Sequence, residues 1–449
     1  MSAVVESGAP PRAERLPLLD GEDPERCLLW QDGRRVRVRD FLGEVDAVAA
    51  QLPNATCAVN LCGDRYRFLV SFCAVAVAGQ TNLLPSSRAP QAITEVMRAY
   101  PDSYALADQP LDLPPPRLLS PVFPRLVHNG AFSTPALPAH QVVAVGFTSG
   151  STGQPKANPK TWGGFCASTA LNARLLCAHG APNIVATVPS QHMYGMELSV
   201  LLPLRSAAAI HSGQPFFPAD IAHALHEVAA PRLLVTTPVH LRALLREGPD
   251  LPELAAIVCA TAPLDAELAR AVERRYATRL IEVFGSTETC VIAHRETARE
   301  QAWQLYPGID LQPQPDGTLV NAPHFSAPTL LQDIVEMLPS RQFILRGRNS
   351  DLLEIAGKRA SLGDLNRRLL AIPGVDDGVM FALDPDCSGV CRLAALVVAP
   401  HLPEAEIVAT LRLALDPVFL PRPLKRVAAL PRNGAGKLPR DALLQALRG

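Results

Sequence analysis

The chain has 449 residues, 48% of them hydrophobic, and its 42 basic and 43 acidic side chains leave a net charge of −1. That composition excludes a disordered protein, and so even a balance gives no field for nucleic acid or an anionic membrane. The length suits about three domains, or fewer if one is large. Ten cysteines are scattered, several inside apolar runs such as those around Cys73 and Cys259, with no Cys-x-x-Cys or zinc spacing. Reduced core thiols and a cytoplasmic setting are therefore expected. Met1–Glu14 is polar and proline-rich without an apolar stretch, so no signal peptide is expected there.

Residues 1–16 read as a loose tail. Phe41, Leu42, Val45, Val48, Ala49 and Leu52 share one face of a helix. Thr56–Leu61 reads as a strand. Phe68–Ala78 is apolar almost all round and stops at Gly79, which predicts a buried helix. It is too short for a membrane span, which needs about 20 residues. Thr81–Leu84 predicts a strand and Gln91–Arg98 a helix. This alternation implies an α/β domain with a mainly parallel sheet. Residues 110–139 are proline-rich and aperiodic, so a surface connection is expected there.

The apolar run Val142–Val145 predicts a buried strand, and it leads into Phe-Thr-Ser-Gly-Ser-Thr-Gly-Gln-Pro-Lys at Phe147–Lys156. Gly150 and Gly153 allow close backbone approach, and successive N–H groups in such a turn form an anion-binding concavity. Thr148, Ser149, Ser151 and Thr152 add hydroxyls, and Lys156 adds positive charge. The stretch is suited to phosphate, although a Ser/Thr/Gly-rich surface loop fits the same residues. It is not the Gly-x4-Gly-Lys-Ser/Thr loop, because Gln154 and Pro155 separate the second glycine from the lysine. Pro155 also disfavours direct passage into a helix.

Further along, Ile184–Val188 predicts a strand leading into Pro189-Ser190-Gln191-His192-Met193-Tyr194-Gly195. Leu233–Thr236 and Ala255–Ala260 predict strands, the second ending in Ala260-Thr261-Ala262-Pro263. A helix follows from Asp265 to Tyr276, with Leu268 and Val272 inward. The strand Ile281-Glu282-Val283-Phe284 ends on Gly285-Ser286-Thr287-Glu288. Asp333 follows Leu331-Gln332, and Arg348 sits in Gly347-Arg348-Asn349-Ser350-Asp351. Residues 352–449 form a short α+β pattern: a helix at Leu365–Leu370, strands at Gly378–Leu383 and Leu393–Val398, and a helix at Ile407–Leu415. Near the end lies Leu430-Pro431-Arg432-Asn433-Gly434-Ala435-Gly436-Lys437-Leu438-Pro439-Arg440.

Residues 148–156 resemble the phosphate loop Thr-Ser-Gly-Ser-Thr-Gly-x-Pro-Lys-Gly of the adenylate-forming superfamily, which includes acyl- and aryl-CoA synthetases, peptide-synthetase adenylation domains and luciferase. Ala157 replaces the last glycine. The remaining motifs are similar to others of that superfamily and stand in its order, over about residues 17–449. The resemblance implies an α/β domain over 17–348 that binds ATP and a carboxylic acid, a hinge at 349–351, and a mobile α+β lid over 352–449. It implies that His192, Met193, Tyr194 and Gly195 line the acid's pocket. Ala262, Phe284 and Gly285 would run beside adenine or substrate, Thr287 would contact phosphate, and Glu288 would hold Mg²⁺. Asp333 and Arg348 would meet the ribose. Gly357-Lys358-Arg359 would belong to the loop that swings in for the second step, and Lys437 would reach the carboxylate and α-phosphate. Several motifs depart from the pattern: Ala260-Thr261 replaces Gly-Gly, the Thr and Gly before Asp333 are absent, and Ser361-Leu362 replaces Glu-Pro.

The implied chemistry is formation of an acyl-AMP with release of pyrophosphate, then transfer of the acyl group to a phosphopantetheine thiol. The region around Ala157-Asn158-Pro159 is similar to the ligases of aryl-polyene and xanthomonadin pigment clusters, which load a hydroxybenzoate on acyl carrier protein. Transfer to free CoA is the alternative, and a non-catalytic adenylate-binding protein is a third. Lys358, Arg359, Arg367, Arg368, Arg422, Lys425 and Arg426 form a candidate basic rim for an acidic carrier protein.

Overall fold

A computed structural model describes residues 14–21, 23–124, 133–149, 155–314, 317–348, 352–355, 358–383, 392–433 and 436–449. The phosphate-loop residues Gly150, Ser151, Thr152 and Gly153, the expected hinge at 349–351, and Gly357 lie outside the described residues.

The expected α/β architecture is present, built on two large sheets. One sheet has six strands, in the order Pro155–Thr161, Val142–Ser149, Thr81–Leu84, Cys57–Asn60, Ser103–Leu106 and Leu118–Leu119. All its pairings are parallel except that of the first two strands. The other sheet has eleven strands. Its centre is parallel, running from Leu280–Ser286 through Ala256–Cys259, Arg232–Thr236, Asn183–Ala186 and Ala209–His211 to Cys27–Gln31. Both flanks are antiparallel. "Mainly parallel" thus holds for the middle of each sheet. The antiparallel flanks carry alternating polar residues, a pattern weaker than the continuous apolar runs of the buried centre.

The main core lies between the sheets. Phe68, Leu69, Phe72, Trp162, Phe165, Met196 and Leu198 are buried there together. The helices Pro218–Glu227, Pro238–Glu247 and Ala266–Tyr276 cover the far face of the larger sheet through Ile221, Leu225, Leu241, Leu244, Ala269 and Val272. Leu268 is only partly buried and Ala269 takes the inner position, one residue on from the expectation. The C-terminal residues bury their own clusters, around Leu365, Leu369, Met380, Ala395, Ile407 and Leu411 and around Phe381, Leu396 and Leu443.

Two expectations change. Arg15–Pro17, expected at the end of a loose tail, pairs antiparallel with Ala136–Pro138. The proline-rich connection at 110–139 therefore includes that strand and Leu118–Leu119. Among the described residues, no helix is long and apolar enough to cross a membrane.

The helix Arg65–Val77 explains how the sheets are joined. Asp64 caps it by accepting the Arg67 N–H at 2.9 Å, and Gly79 at φ +78° ends it. The side chain of Arg65 is 2% exposed. Its guanidinium donates to Ala186 O and Val188 O, both at 2.9 Å, to Ser190 Oγ at 3.0 Å, and to Ser199 Oγ. Burial lowers its pKa to about 10, so it remains charged at neutral pH. One side chain from the first layer thus holds the segment that leaves the larger sheet toward His192. Arg65→Met would leave two buried carbonyls without donors. It should lower the unfolding free energy by about 3–5 kcal/mol, measured by denaturant titration.

Candidate active site

The strands on either side of the glycine-rich segment pair with one another. Val142–Ser149 and Pro155–Thr161 pair antiparallel, with Thr148 opposite Lys156 and Ser149 opposite Pro155. The chain therefore returns as a strand, and Pro155 fits the edge position where no ladder N–H is needed. Along the returning strand Lys156, Asn158 and Lys160 share one face by the two-residue period. Asn158 Nδ2 lies within hydrogen-bond distance of Lys156 O at 3.1 Å, Gly146 O at 3.3 Å and Thr148 Oγ1 at 3.4 Å. Lys156 is exposed.

The turn bearing Glu288 meets this hairpin. Leu280–Ser286 runs into it and Cys290–Arg295 leaves it, with Gly285 opposite Val291 and Ser286 opposite Cys290. A Cβ on Gly285 would lie 2.0 Å from Cys290 O, which explains the glycine. Thr148 Oγ1 donates to Glu288 Oε1 at 3.3 Å, and Lys160 Nζ donates to Glu288 O at 2.6 Å. A Cβ on Gly146 would lie 2.8 Å from Thr287 Cγ2 and 3.4 Å from Met193 Cε, so three expected segments converge on that glycine. The Phe284 ring packs against Trp303 and Phe343, at 5.3 and 5.7 Å between centroids.

The pocket segment is compact. A Cβ on Gly195 would lie 2.0 Å from Pro189 O. His192 precedes the turn Met193–Gly195, which continues as a π-helix at Met196–Leu201. Such irregular helices often occur at functional sites. The Tyr194 hydroxyl donates to Val258 O at 3.0 Å and Thr236 O at 3.2 Å, at the ends of two parallel strands. That phenol is committed to the scaffold. Burial first, and then the charges of Lys437 and Arg88, lower the His192 pKa to about 4. His192 is therefore neutral at pH 7, and Lys437 of the C-terminal residues lies within electrostatic reach of it.

Lys437 stands on a pinned turn. Its N–H donates to Asn433 Oδ1 at 2.9 Å, and Asn433 N–H donates to Lys437 O at 2.8 Å. Gly436 takes φ +75°. Arg432 anchors the turn by pairing with both carboxylate oxygens of Asp377 at 2.9 Å. Asp333 and Arg348 are opposite one another on the antiparallel strands Asp333–Leu338 and Gln342–Arg348. Ala262 is half-buried, beside Thr261.

Beneath the Glu288 turn is an unexpected carboxyl. Glu197, on the π-helix, is 1% exposed. It accepts from Ser168 Oγ at 2.6 Å, Val291 N at 2.9 Å and Asn172 Nδ2 at 3.2 Å. Burial pushes its pKa up to about 7 against the opposing hydrogen bonds and the nearby Lys160 charge. Sequence reasoning also missed Arg65, Asn158, Lys160 and Arg88. Reading 155–161 as a strand would have placed Asn158 and Lys160 beside Lys156. Nothing local marks Glu197 or Arg65 as buried.

The residues fit a magnesium ion shared with phosphate oxygens. Among the described residues no group of three His, Cys, Asp or Glu could hold a metal. Glu288 with the Thr148 hydroxyl beside it supplies the one or two protein oxygens that Mg²⁺ takes when a nucleotide provides the rest.

A family model described as "AMP-binding enzyme" matches residues 33–317. A 4-coumarate–CoA ligase of Rhodobacter capsulatus is 31% identical over 301 residues, spanning 66% of this chain and 74% of the relative. A 2,3-dihydroxybenzoate-AMP ligase of Bacillus subtilis is 22% identical over 362 residues, 72% of this chain and 67% of the relative. ATP-bound MatB from Rhodopseudomonas palustris superposes with TM-score 0.80 at 17% identity, covering 96% of this chain and 97% of that one. MenE of Bacillus subtilis, in complex with its acyl-adenylate OSB-AMP, gives TM-score 0.78 at 17% identity over 94% and 95% of the two chains. These two structures share the fold.

The raised pKa of Glu197 has a stability consequence. A folded pKa above the unfolded one gives a contribution that is full below the unfolded value, near 4.5, and is lost as pH rises through about 7. Glu197→Gln can keep the Val291 N–H bond and donate to Ser168, but cannot ionise. Wild type should lose up to about 3 kcal/mol relative to this variant between pH 4.5 and 8. Denaturant unfolding at several pH values reads that slope, whatever the offset between the two proteins.

Proposed function

The chain belongs to the family of AMP-binding enzymes, and from that premise we propose that it activates a small aromatic, hydroxybenzoate-like acid and loads it on acyl carrier protein. The coarser activity is that of its family: an ATP-dependent, acyl-AMP-forming acid–thiol ligase. A carboxylate oxygen attacks the α-phosphorus of ATP, pyrophosphate leaves, and the acyl-AMP is then cleaved by a thiol, releasing AMP.

The observation that carries our assignment of the residues is the convergence of Lys437, His192, Thr148 and Glu288 from four separate parts of the chain, the two halves meeting where Gly146 faces Thr287 and Met193. Two anions must approach one another in the first step. Lys437 and Lys156 supply positive charge where negative charge accumulates, and a neutral His192 can donate to the acid without adding repulsive desolvation. Mg²⁺ held at Glu288 would neutralise phosphate charge. Asp333 and Arg348, side by side, suit the ribose hydroxyls. Thr148, Ser149, Gly150, Ser151, Thr152, Gly153 and Thr287 suit the phosphates, with Ala262 and Gly285 at the adenine edge. Met193, Tyr194, Gly195 and Phe284 suit a flat, compact acid.

The aromatic preference is supported by the named substrates of the 4-coumarate and 2,3-dihydroxybenzoate relatives. Carrier protein as acceptor rests on the pigment-cluster resemblance and the exposed Arg367, Arg422 and Arg426. Lys425 leaves that rim: its Nζ donates to Ala446 O and Leu447 O, capping the last helix. Free CoA is the second reading, because named relatives act with CoA.

Mass spectrometry after incubation with ATP, Mg²⁺ and 3- or 4-hydroxybenzoate, with holo-carrier protein and CoA offered in parallel, separates these outcomes. We expect hydroxybenzoyl carrier protein as the main product. Hydroxybenzoyl-CoA would favour the second acceptor, and preference for long-chain acids in pyrophosphate exchange would overturn the aromatic assignment. Lys437→Ala should slow adenylation by about 100-fold or more with ATP affinity changed only a few-fold. Unchanged single-turnover adenylation would remove that lysine from the site.

A further inference from the structure

We infer that Lys160 is a positioning residue: with buried Glu197 it braces the main chain of the Glu288 turn, so that the carboxylate is preset for the metal–nucleotide complex. This rests on the assignment of Glu288 to the metal.

The turn is gripped through its backbone at successive residues. Lys160 donates to Glu288 O at 2.6 Å, His324 Nε2 donates to Thr289 O at 2.9 Å, and Glu197 accepts the Val291 N–H at 2.9 Å. Cys290, between the last two, is held at φ +59°, a conformation that costs an L-residue about 1–2 kcal/mol. Such a conformation persists only where its surroundings over-determine it. All three grips use main-chain atoms. The Glu288 carboxylate accepts from the Thr148 hydroxyl and takes no part in those grips.

The grips come from different elements. Lys160 belongs to the phosphate-loop hairpin, two strand periods beyond Lys156. Glu197 belongs to the π-helix that follows the acid-pocket segment, and Ser168 and Asn172 of the helix Trp162–Leu176 hold its carboxylate. The Lys160 ammonium lies close to that carboxyl, so the two side chains flank one turn. Hairpin, pocket segment and metal carboxylate thereby share one reference frame. Partners of this kind, one step removed from a metal ligand, typically change metal affinity about 10–100-fold when lost.

The test is the affinity of full-length protein for a non-hydrolysable ATP analogue by calorimetry, with and without Mn²⁺, the free metal being followed by electron paramagnetic resonance. Wild type, Glu288→Gln, Lys160→Met, Lys160→Gln and Lys160→Arg are compared; the two neutral variants guard against one failing to fold. We expect Lys160→Met and Lys160→Gln to weaken metal-dependent binding about tenfold while metal-free binding shifts less than about twofold. Lys160→Arg, which keeps a donor for the carbonyl, should recover most of the loss. Equal loss with and without metal would make Lys160 merely structural, and no loss would remove the brace; either overturns the inference while Glu288→Gln still abolishes the metal effect. If Glu288→Gln keeps the full metal effect, the metal assignment itself fails and the brace fails with it.

Discussion

The arrangement depends on a buried cation shared between two layers. Arg65 starts a helix packed on the smaller sheet, yet its guanidinium ends among carbonyls and hydroxyls of the larger one. A charge taken from water needs such partners to offset its desolvation. Because the acceptors lie at 186–199, the demand for partners also fixes where the chain toward His192 must run. The smaller sheet contributes the phosphate hairpin and the larger one contributes the Glu288 turn and the pocket segment. Had the layers slid, Gly146 would no longer face Thr287 and Met193 at van der Waals distance.

Electrostatics follows from the same packing. The whole chain is almost neutral, but the charges of Lys437 and Arg88 both act on His192, and Lys160 sits between the Glu288 carbonyl and buried Glu197. Cations that face a low-dielectric wall act more strongly than cations in water. The depressed pKa of His192 comes first from burial and then from the charges of Lys437 and Arg88. Protonating the imidazole would add a cation where two already act and where burial disfavours charge, so the site keeps a neutral donor at physiological pH.

Much of this was readable from sequence, for a physical reason. A strand buried on both faces is a continuous apolar run, so Leu393–Val398 was found to the residue. The motifs pointed to a candidate site because they concentrate unusual residues in short stretches. What could not be read was long-range. Arg65 and Glu197 look like ordinary charges on their helices, and only tertiary contact at sequence separations above 90 makes them buried and partnered. The hairpin was hidden differently: Pro-Lys-Ala-Asn-Pro-Lys has no apolar alternation, since the strand's inward face is polar and turned to the site.

The departures from the family motif teach the converse. Where glycines are expected at 260–261, the chain has Ala260 and Thr261, which reads as loss of the turn. Yet Thr261 adopts φ +81°, the region glycine enters freely and a β-branched residue enters only under constraint. The backbone here takes a path that suits glycine and the side chain accepts the strain, at a cost of about 1–3 kcal/mol. A tight turn between the Ala256–Cys259 strand and the Ala266–Tyr276 helix leaves no other route, with Leu264 buried on one side and Asp265 capping the helix on the other. A left-handed backbone can thus stand without glycine where the elements on either side hold the turn.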